Sequence, residues 1–308
     1  MTWEPPSRKF FLRLGRRLMR AALAVGLAAP SARAEAELDL SEDLRNLRLL
    51  DLSEGGRRFA LVVPRYLAPG QKLPVVVLLH GLGETTNERA GAYAWVERYG
   101  LGSAWQRLKR APLERTSARG EWTDARLAEV NEELAARPFR GLALVCPFMP
   151  NPASPADLDS YARWIETSLL PRVRKETQVH EDAAHTFLCG VSLGGYVSLE
   201  MLTRLPQVFG AWAGVQTAIG TFAAPGYAQK IATAWKDQPH PMLLLTSTLD
   251  HWKASSEALA AAFKAKNLTT TYRVVPGPHD QPWLREAGTI EALLWLDRIG
   301  YGAAATRK

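Results

Sequence analysis

From Leu47 onward, short apolar runs alternate with longer stretches whose apolar residues recur every three or four positions. The short runs predict strands at Arg58–Val63, Pro74–Leu79, Leu142–Cys146, Thr186–Cys189, Ala211–Val215, Met242–Thr246 and Thr270–Val275. Several are unbroken, as in Val75-Val76-Val77-Leu78-Leu79; a strand covered on both faces has no polar side to show. Ser160–Lys175 carries Tyr161, Trp164, Ile165 and Leu169 at helical spacing, and Ala254–Lys266 and Glu286–Ile299 read likewise as helices. Strands alternating with helices predict an α/β fold, a mostly parallel central sheet with helices on both faces. No repeat, low-complexity tract or Pro/Gly linker divides residues 35–308, so one domain is expected there.

Two segments depart from that rhythm. Glu84–Arg140 holds several short helical stretches together with Tyr93, Trp95, Tyr99, Trp105 and Trp122. A connection that long inside a compact domain is usually functional. The other is residues 1–34: a basic region reaching Arg20, an apolar stretch from Ala21 to Ala29, and Ala32-Arg33-Ala34 as a small-x-small cleavage pattern. These are the three parts of an export signal, so a mature chain beginning near Glu35, periplasmic or secreted, is expected. Ser7-Arg8-Lys9-Phe10-Phe11-Leu12-Arg13 resembles a twin-arginine motif with Lys at its second arginine position, which leaves the twin-arginine and general secretory routes both open.

Charge adds little once it is located. The net +7 of the 308 residues falls to +1 beyond residue 34, where 31 basic residues face 30 acidic ones. Nothing there predicts a grip on nucleic acid. No apolar run is long enough to span a bilayer, so no stable membrane anchor is expected after signal removal. Oligomeric state is left open.

The chemistry gathers at strand ends. Gly190-Val191-Ser192-Leu193-Gly194-Gly195 follows one predicted strand and leads into the helical Tyr196–Arg204. In that strand–turn–helix setting G-x-S-x-G exposes the serine hydroxyl at the carboxyl end of the sheet, with the Leu193 N–H aimed at any oxyanion formed there. A serine hydroxyl needs a base, and the base an orienting acid. Of the six His, only His279 lies in the loop after the last strand, and Asp250 sits just past the strand beginning at Met242. The order Ser192, Asp250, His279 is a known Ser–acid–His arrangement, with all three where ligands bind in open α/β sheets. His80-Gly81-Leu82-Gly83, after Pro74–Leu79, is placed to supply a second oxyanion donor, assigned to the Leu82 N–H, with His80 bracing the loop. Trp252 and Trp283, near the acid and base in sequence, are candidates for lining the substrate pocket.

These residues resemble the α/β-hydrolase superfamily over most of residues 45–300. Within it the chain is most similar to the esterase D-like group, which includes feruloyl esterases, polyhydroxyalkanoate depolymerases and mycolyl acyltransferases. The likeness rests on the His80-Gly81 loop, Leu169-Leu170-Pro171-Arg172-Val173, the Ser192 elbow and Leu205-Pro206-Gln207-Val208-Phe209. It implies Ser192 as nucleophile, Asp250 as acid and His279 as base. Glu84–Arg140 departs from that group's usual pattern as a helical insertion after the third strand; leaving the sheet directly after Leu82, it is expected as a cap over the Ser192 mouth with Trp95 and Trp105 in an apolar wall.

The strand order of that fold sets Pro74–Leu79 between the strands of Cys146 and Cys189, about 9–10 Å apart at ~4.8 Å per strand. A disulfide needs Cα atoms within about 7 Å, so two free buried thiols are expected.

No P-loop, H-E-x-x-H or zinc-spaced Cys/His cluster occurs, and His279-Asp280 and Asp250-His251 look too isolated to bind metal; no metal or cofactor is expected. The reading is an exported serine hydrolase cleaving small or polymeric carboxylic esters. An acyltransferase with the same triad, or a non-catalytic polymer-binding protein, is the alternative.

Overall fold

The computed structural model describes residues 42–236 and 240–302. The expected export signal, residues 1–34, lies outside them. Eight strands among the described residues form one sheet in the order β1-β2-β4-β3-β5-β6-β7-β8. They are β1 (Leu47–Glu54), β2 (Arg57–Pro64), β3 (Val75–Leu79), β4 (Ala143–Pro147), β5 (Thr186–Val191), β6 (Ala211–Val215), β7 (Met242–Leu249) and β8 (Thr270–Pro278). β2 runs antiparallel to β1 and β4, and every other pairing is parallel.

β1 is the strand that the hydrophobic pattern did not announce. It is an edge strand whose residues are mostly half-buried or exposed, and its Asp51 pairs across the ladder with Arg58 at 2.7 Å. With only one neighbour it carries charge freely and lacks the unbroken apolar run that marks β3. β7 and β8 extend three residues past their predicted ends, which brings Asp250 and His279 to the carboxyl edge of the sheet.

The main helices are α1 (Leu101–Lys109), α2 (Asp124–Ala136), α3 (Pro155–Trp164), α4 (Leu193–Arg204), α5 (Ala224–Ala234), α6 (Lys253–Ala265) and α7 (Thr289–Gly300). Strand residues alternate between the two faces they cover. Val75, Val77 and Leu79 join the core beneath α3, α4, α5 and α6, whereas Val76 and Leu78 join the core with α1, α2 and α7. No helix among the described residues is long and apolar enough to cross a membrane.

This division corrects the expectation for Glu84–Arg140. Trp95 and Trp105 are 0% and 1% exposed and, with Trp122, sit inside the second core rather than in a wall over Ser192. A sheet apolar on both faces needs a layer on each. Beyond α7, the segment's helices and rings supply that layer on the second face, with Trp105 meeting Phe139 edge to face at 5.1 Å. Ion pairs tie it to the carboxyl-terminal segment: Arg126 grips both carboxylate oxygens of Glu291 at 2.7 Å, and Arg107 meets Glu286 at 3.1 Å.

β3 does separate Cys146 on β4 from Cys189 on β5, and both are free and buried. Burial pushes both thiols well above their ordinary range, so neither is a ready nucleophile.

Candidate active site

The turn from β5 to α4 is tight because its glycines leave no room for side chains. A methyl at Gly190 would overlap the Gly194 carbonyl, and one at Gly194 would overlap the carbonyls of Leu79 and His80 on the neighbouring strand end. Ser192 between them has φ 55° and ψ −116°, a conformation a non-glycine residue holds only when its surroundings enforce it. The enforcement is visible: the Ser192 N–H donates to Val215 O at 2.9 Å, and its carbonyl accepts from Ala218 N–H at 3.0 Å. The Leu193 N–H, first in α4, has no partner within the helix, as the opening N–H groups of a helix never do.

Asp250 and His279 come together at the ends of β7 and β8. His279 Nδ1 lies 2.8 Å from Asp250 Oδ1. That same oxygen accepts the Trp252 N–H at 2.9 Å, and Oδ2 accepts the Thr246 hydroxyl at 2.6 Å. Burial alone would raise the Asp250 pKa, but the His279 bond and charge, the Thr246 hydroxyl and the Trp252 N–H together hold it below the ordinary carboxylate value. An ionised carboxylate only accepts, so His279 carries its proton on Nδ1 and leaves Nε2 with a free lone pair. The pair is closed off on the acid's side and open on the base's: the Asp250 side chain is 0% exposed and that of His279 18%.

His279 reaches back toward Ser192 through side chains that sequence reasoning missed. Gln216, itself at φ 48°, donates to Ser247 Oγ at 2.7 Å and to the Pro278 carbonyl at 3.0 Å. Ser247 also donates to Pro278 O, at 3.1 Å. Gln216 stands between Val215 and Ala218, so the turn that pins the Ser192 backbone also pins the loop bearing His279. A polar residue just after an apolar strand was the only sequence signal, and it is a weak one.

His80 is buried on the other side of Ser192 and acts as a brace, as expected. Its Nε2 accepts the Met149 N–H at 2.9 Å, which forces the proton onto Nδ1, and Nδ1 donates to Gly81 O at 2.8 Å. Burial pushes its pKa down to about 4, so it stays neutral in this role. With the Gly81 carbonyl held, the planar trans peptide turns the Leu82 N–H the opposite way. A methyl on Gly81 would sit 3.9 Å from Ser192 Cβ, so this peptide borders the serine.

The pocket-lining candidates fare differently. Trp283 is 0% exposed, its indole N–H bonded to Pro276 O at 2.9 Å and its ring packed on Gly277 and Gly288. It supports the His279 loop from within the core and lines no pocket; a large ring beside a Gly-containing turn is drawn to the space the glycines leave. Trp252 is half-buried beside His251, with ring centroids 5.3 Å apart.

Two groups of described side chains bring ligand atoms within 4.8 Å of one another, close enough to hold a metal ion: Asp250, His251 and His279, and His180, Asp182 and His185. The first corrects the expectation from spacing, since the fold brings His251 to 4.4 Å from His279, ring to ring. Its Asp250 and His279 are already bonded to each other. In the second, the His180 and His185 rings stack at 4.0 Å and 17°, so their lone pairs run side by side rather than converging.

Comparison with known proteins bears on the same region. Residues 146–287, which contain Ser192, Asp250 and His279, match the family model described as "Putative esterase". No curated protein sequence matches the chain significantly. Among solved structures, a ferulic acid esterase is similar at TM-score 0.60 and 17% identity, over 82% of this chain and 98% of that one. An S-formylglutathione hydrolase from Staphylococcus aureus is similar at TM-score 0.54 and 14% identity, over 82% and 96%. A feruloyl esterase module from Clostridium thermocellum, complexed with sinapinate, is similar at TM-score 0.57 and 14% identity, over 86% and 90%. These likenesses bear out the α/β-hydrolase fold.

Proposed function

We propose that this protein hydrolyses carboxylic esters through Ser192, His279 and Asp250, a reading that its match to the putative-esterase family model supports. Ser192 Oγ attacks the ester carbonyl while His279 Nε2 takes the hydroxyl proton. The carbonyl oxygen, now an anion, is held by the N–H groups of Leu82 and Leu193. The ester C–O bond breaks as His279 returns the proton to the leaving alcohol, and the acyl group stays on Ser192. Water, deprotonated by His279, repeats the sequence and releases the acid. Asp250 keeps the His279 proton on Nδ1 and stabilises the imidazolium at each transfer.

The observation that carries this reading is the 2.8 Å Asp250–His279 bond, made by an ionised, buried carboxylate; the strained turn that holds Ser192 supports it. The test is kinetic. Purified protein should turn over p-nitrophenyl acetate, and Ser192→Ala or His279→Ala should lower kcat by roughly 10⁴–10⁶ with the fold retained.

For the substrate we infer an ester with an apolar acyl or alcohol group. Leu249 and Phe222 are each 73% exposed, Leu249 at the carboxyl end of β7 and Phe222 in the connection that leaves β6, and Trp252 flanks the acid. We also infer export, on the strength of residues 1–34. N-terminal sequencing of the native protein should find a chain starting near Glu35, and an intact Met1 on a cytosolic product would contradict it.

A further inference from the structure

We propose that Tyr99 and Glu84 are positioning residues that hold the His80–Gly81 peptide and, through Gly81, the donor orientation of the Leu82 N–H that follows it, an inference that rests on the oxyanion role given to Leu82 above. The Gly81 N–H donates to Tyr99 Oη at 3.1 Å, and the Tyr99 hydroxyl donates to Glu84 Oε2 at 2.6 Å. A phenol has one proton, and here it is committed to Glu84, so the oxygen facing Gly81 can only accept. The bonds therefore run one way, from peptide to phenol to carboxylate. Arg98 Nη1 stands 3.6 Å from the other Glu84 oxygen and complements its charge.

Both residues are interior, Tyr99 at 4% and Glu84 at 3% exposure. A buried bond of this kind cannot be exchanged for one to water, and losing its acceptor would leave the Gly81 N–H unpaired. Tyr99 is itself fixed: its ring meets Trp95 edge to face at 5.3 Å, and its carbonyl accepts the Thr289 hydroxyl at 2.7 Å from the start of α7. Burial first, and the Glu84 charge second, push the phenol well above its ordinary pKa, so it remains a donor throughout the working pH range.

The consequence is geometric. Gly81 has two polar groups, and each is clamped from a different side: the carbonyl by His80 and the N–H by Tyr99. The next N–H along, that of Leu82, is left for the substrate. A methyl on Gly81 would lie 3.2 Å from Tyr99 Oη and 3.9 Å from Ser192 Cβ, so the phenol backs the very residue that borders the serine. The segment after β3 thus serves the site from behind the oxyanion loop, although its tryptophans lie in the core.

The experiment compares wild type, Tyr99→Phe, Glu84→Gln and Trp105→Phe, the last a packing control in the same core. Each is measured on p-nitrophenyl acetate and with phenylboronic acid, whose adduct on Ser192 places an anionic hydroxyl at the oxyanion position. Removing a whole oxyanion donor costs about 10²–10³ in kcat, so loosening one should cost roughly 10–50-fold. Tyr99→Phe should show that fall with KM within twofold and the boronate Ki raised by a similar factor. Trp105→Phe should lower the melting temperature and leave both constants within twofold. If Tyr99→Phe does not yield folded protein, Glu84→Gln carries the test, with an expected fall of about 3–10-fold. A folded variant at either position with kcat within twofold of wild type, or with KM alone changed, overturns the proposal. Absence of Ser192-dependent turnover in wild type overturns the esterase mechanism instead, so the two failures are distinguishable.

Discussion

Replacing Asp250 by asparagine removes one charge and leaves almost every atom in place, and the outcome depends on which way the amide turns. In the native site Oδ1 accepts both the His279 Nδ1–H and the Trp252 N–H, while Oδ2 accepts the Thr246 hydroxyl. An amide with its NH₂ toward His279 would also face the Trp252 N–H, donor against donor. In the other orientation the NH₂ meets Thr246, whose hydroxyl can reverse and accept. The second orientation wins, His279 keeps its proton on Nδ1, and the variant loses charge without losing the tautomer. At ~4 Å and an effective dielectric near 20, a carboxylate stabilises an imidazolium by about 4 kcal/mol. That corresponds to roughly 10³ in kcat. A flipped amide would add the wrong tautomer and take the loss to about 10⁴ or more. The assay is kcat on p-nitrophenyl acetate for Asp250→Asn beside Ser192→Ala. A loss below tenfold would show that Asp250 is not the charge partner of His279. A loss equal to that of Ser192→Ala would refute the part assigned to the Trp252 N–H.

Other outcomes follow from burial. Trp105→Ala should destabilise the fold by about 3–5 kcal/mol, read from denaturant midpoints, while leaving KM for bulky and small esters within twofold. A selective rise in KM for the bulky ester would restore a cap. His80 is neutral when folded because burial lowers its pKa to about 4 from 6.5, so the unfolded chain binds this proton first as pH falls. Its contribution is fully present above pH 6.5 and is lost between pH 6.5 and about 4, by an order-of-magnitude figure near 3 kcal/mol. Urea midpoints at pH 7, 5.5 and 4.5 should fall more steeply for wild type than for His80→Gln, and parallel slopes would refute this.

Much of the architecture was legible because buried strands leave an unmistakable trace. Val75–Leu79 and Met242–Leu245 have no polar residue to hide, and both lie where the pattern put them. β1 escaped because an edge strand answers to one neighbour and to solvent, which admits Arg48, Asp51 and Glu54. The Ser192 turn was readable from its glycines, which are steric necessities tied to a local geometry. The meeting of Asp250 and His279 followed from chain order and strand ends alone.

Aromatic residues misled for the opposite reason. A tryptophan is as much at home in a core as in a pocket wall, and position along the chain does not say which surface it meets. Trp95, Trp105 and Trp283 met core. The roles of Gln216, Tyr99 and Glu84 went unread because each acts through hydrogen bonds to residues distant in sequence, and one polar residue in a loop has no periodicity to betray it.

The most direct test of the whole account is intact-mass and peptide mass spectrometry of the purified protein after reaction with a fluorophosphonate. Serine becomes reactive toward such a probe only where a base removes its proton and donors stabilise the developing charge, the two features assigned here, around Ser192, to His279 and to the Leu82 and Leu193 N–H groups. One adduct per chain, located on Ser192 and absent from Ser192→Ala and His279→Ala, is the predicted result. A native, folded chain that takes up no label, or takes it up at another serine, would contradict the account.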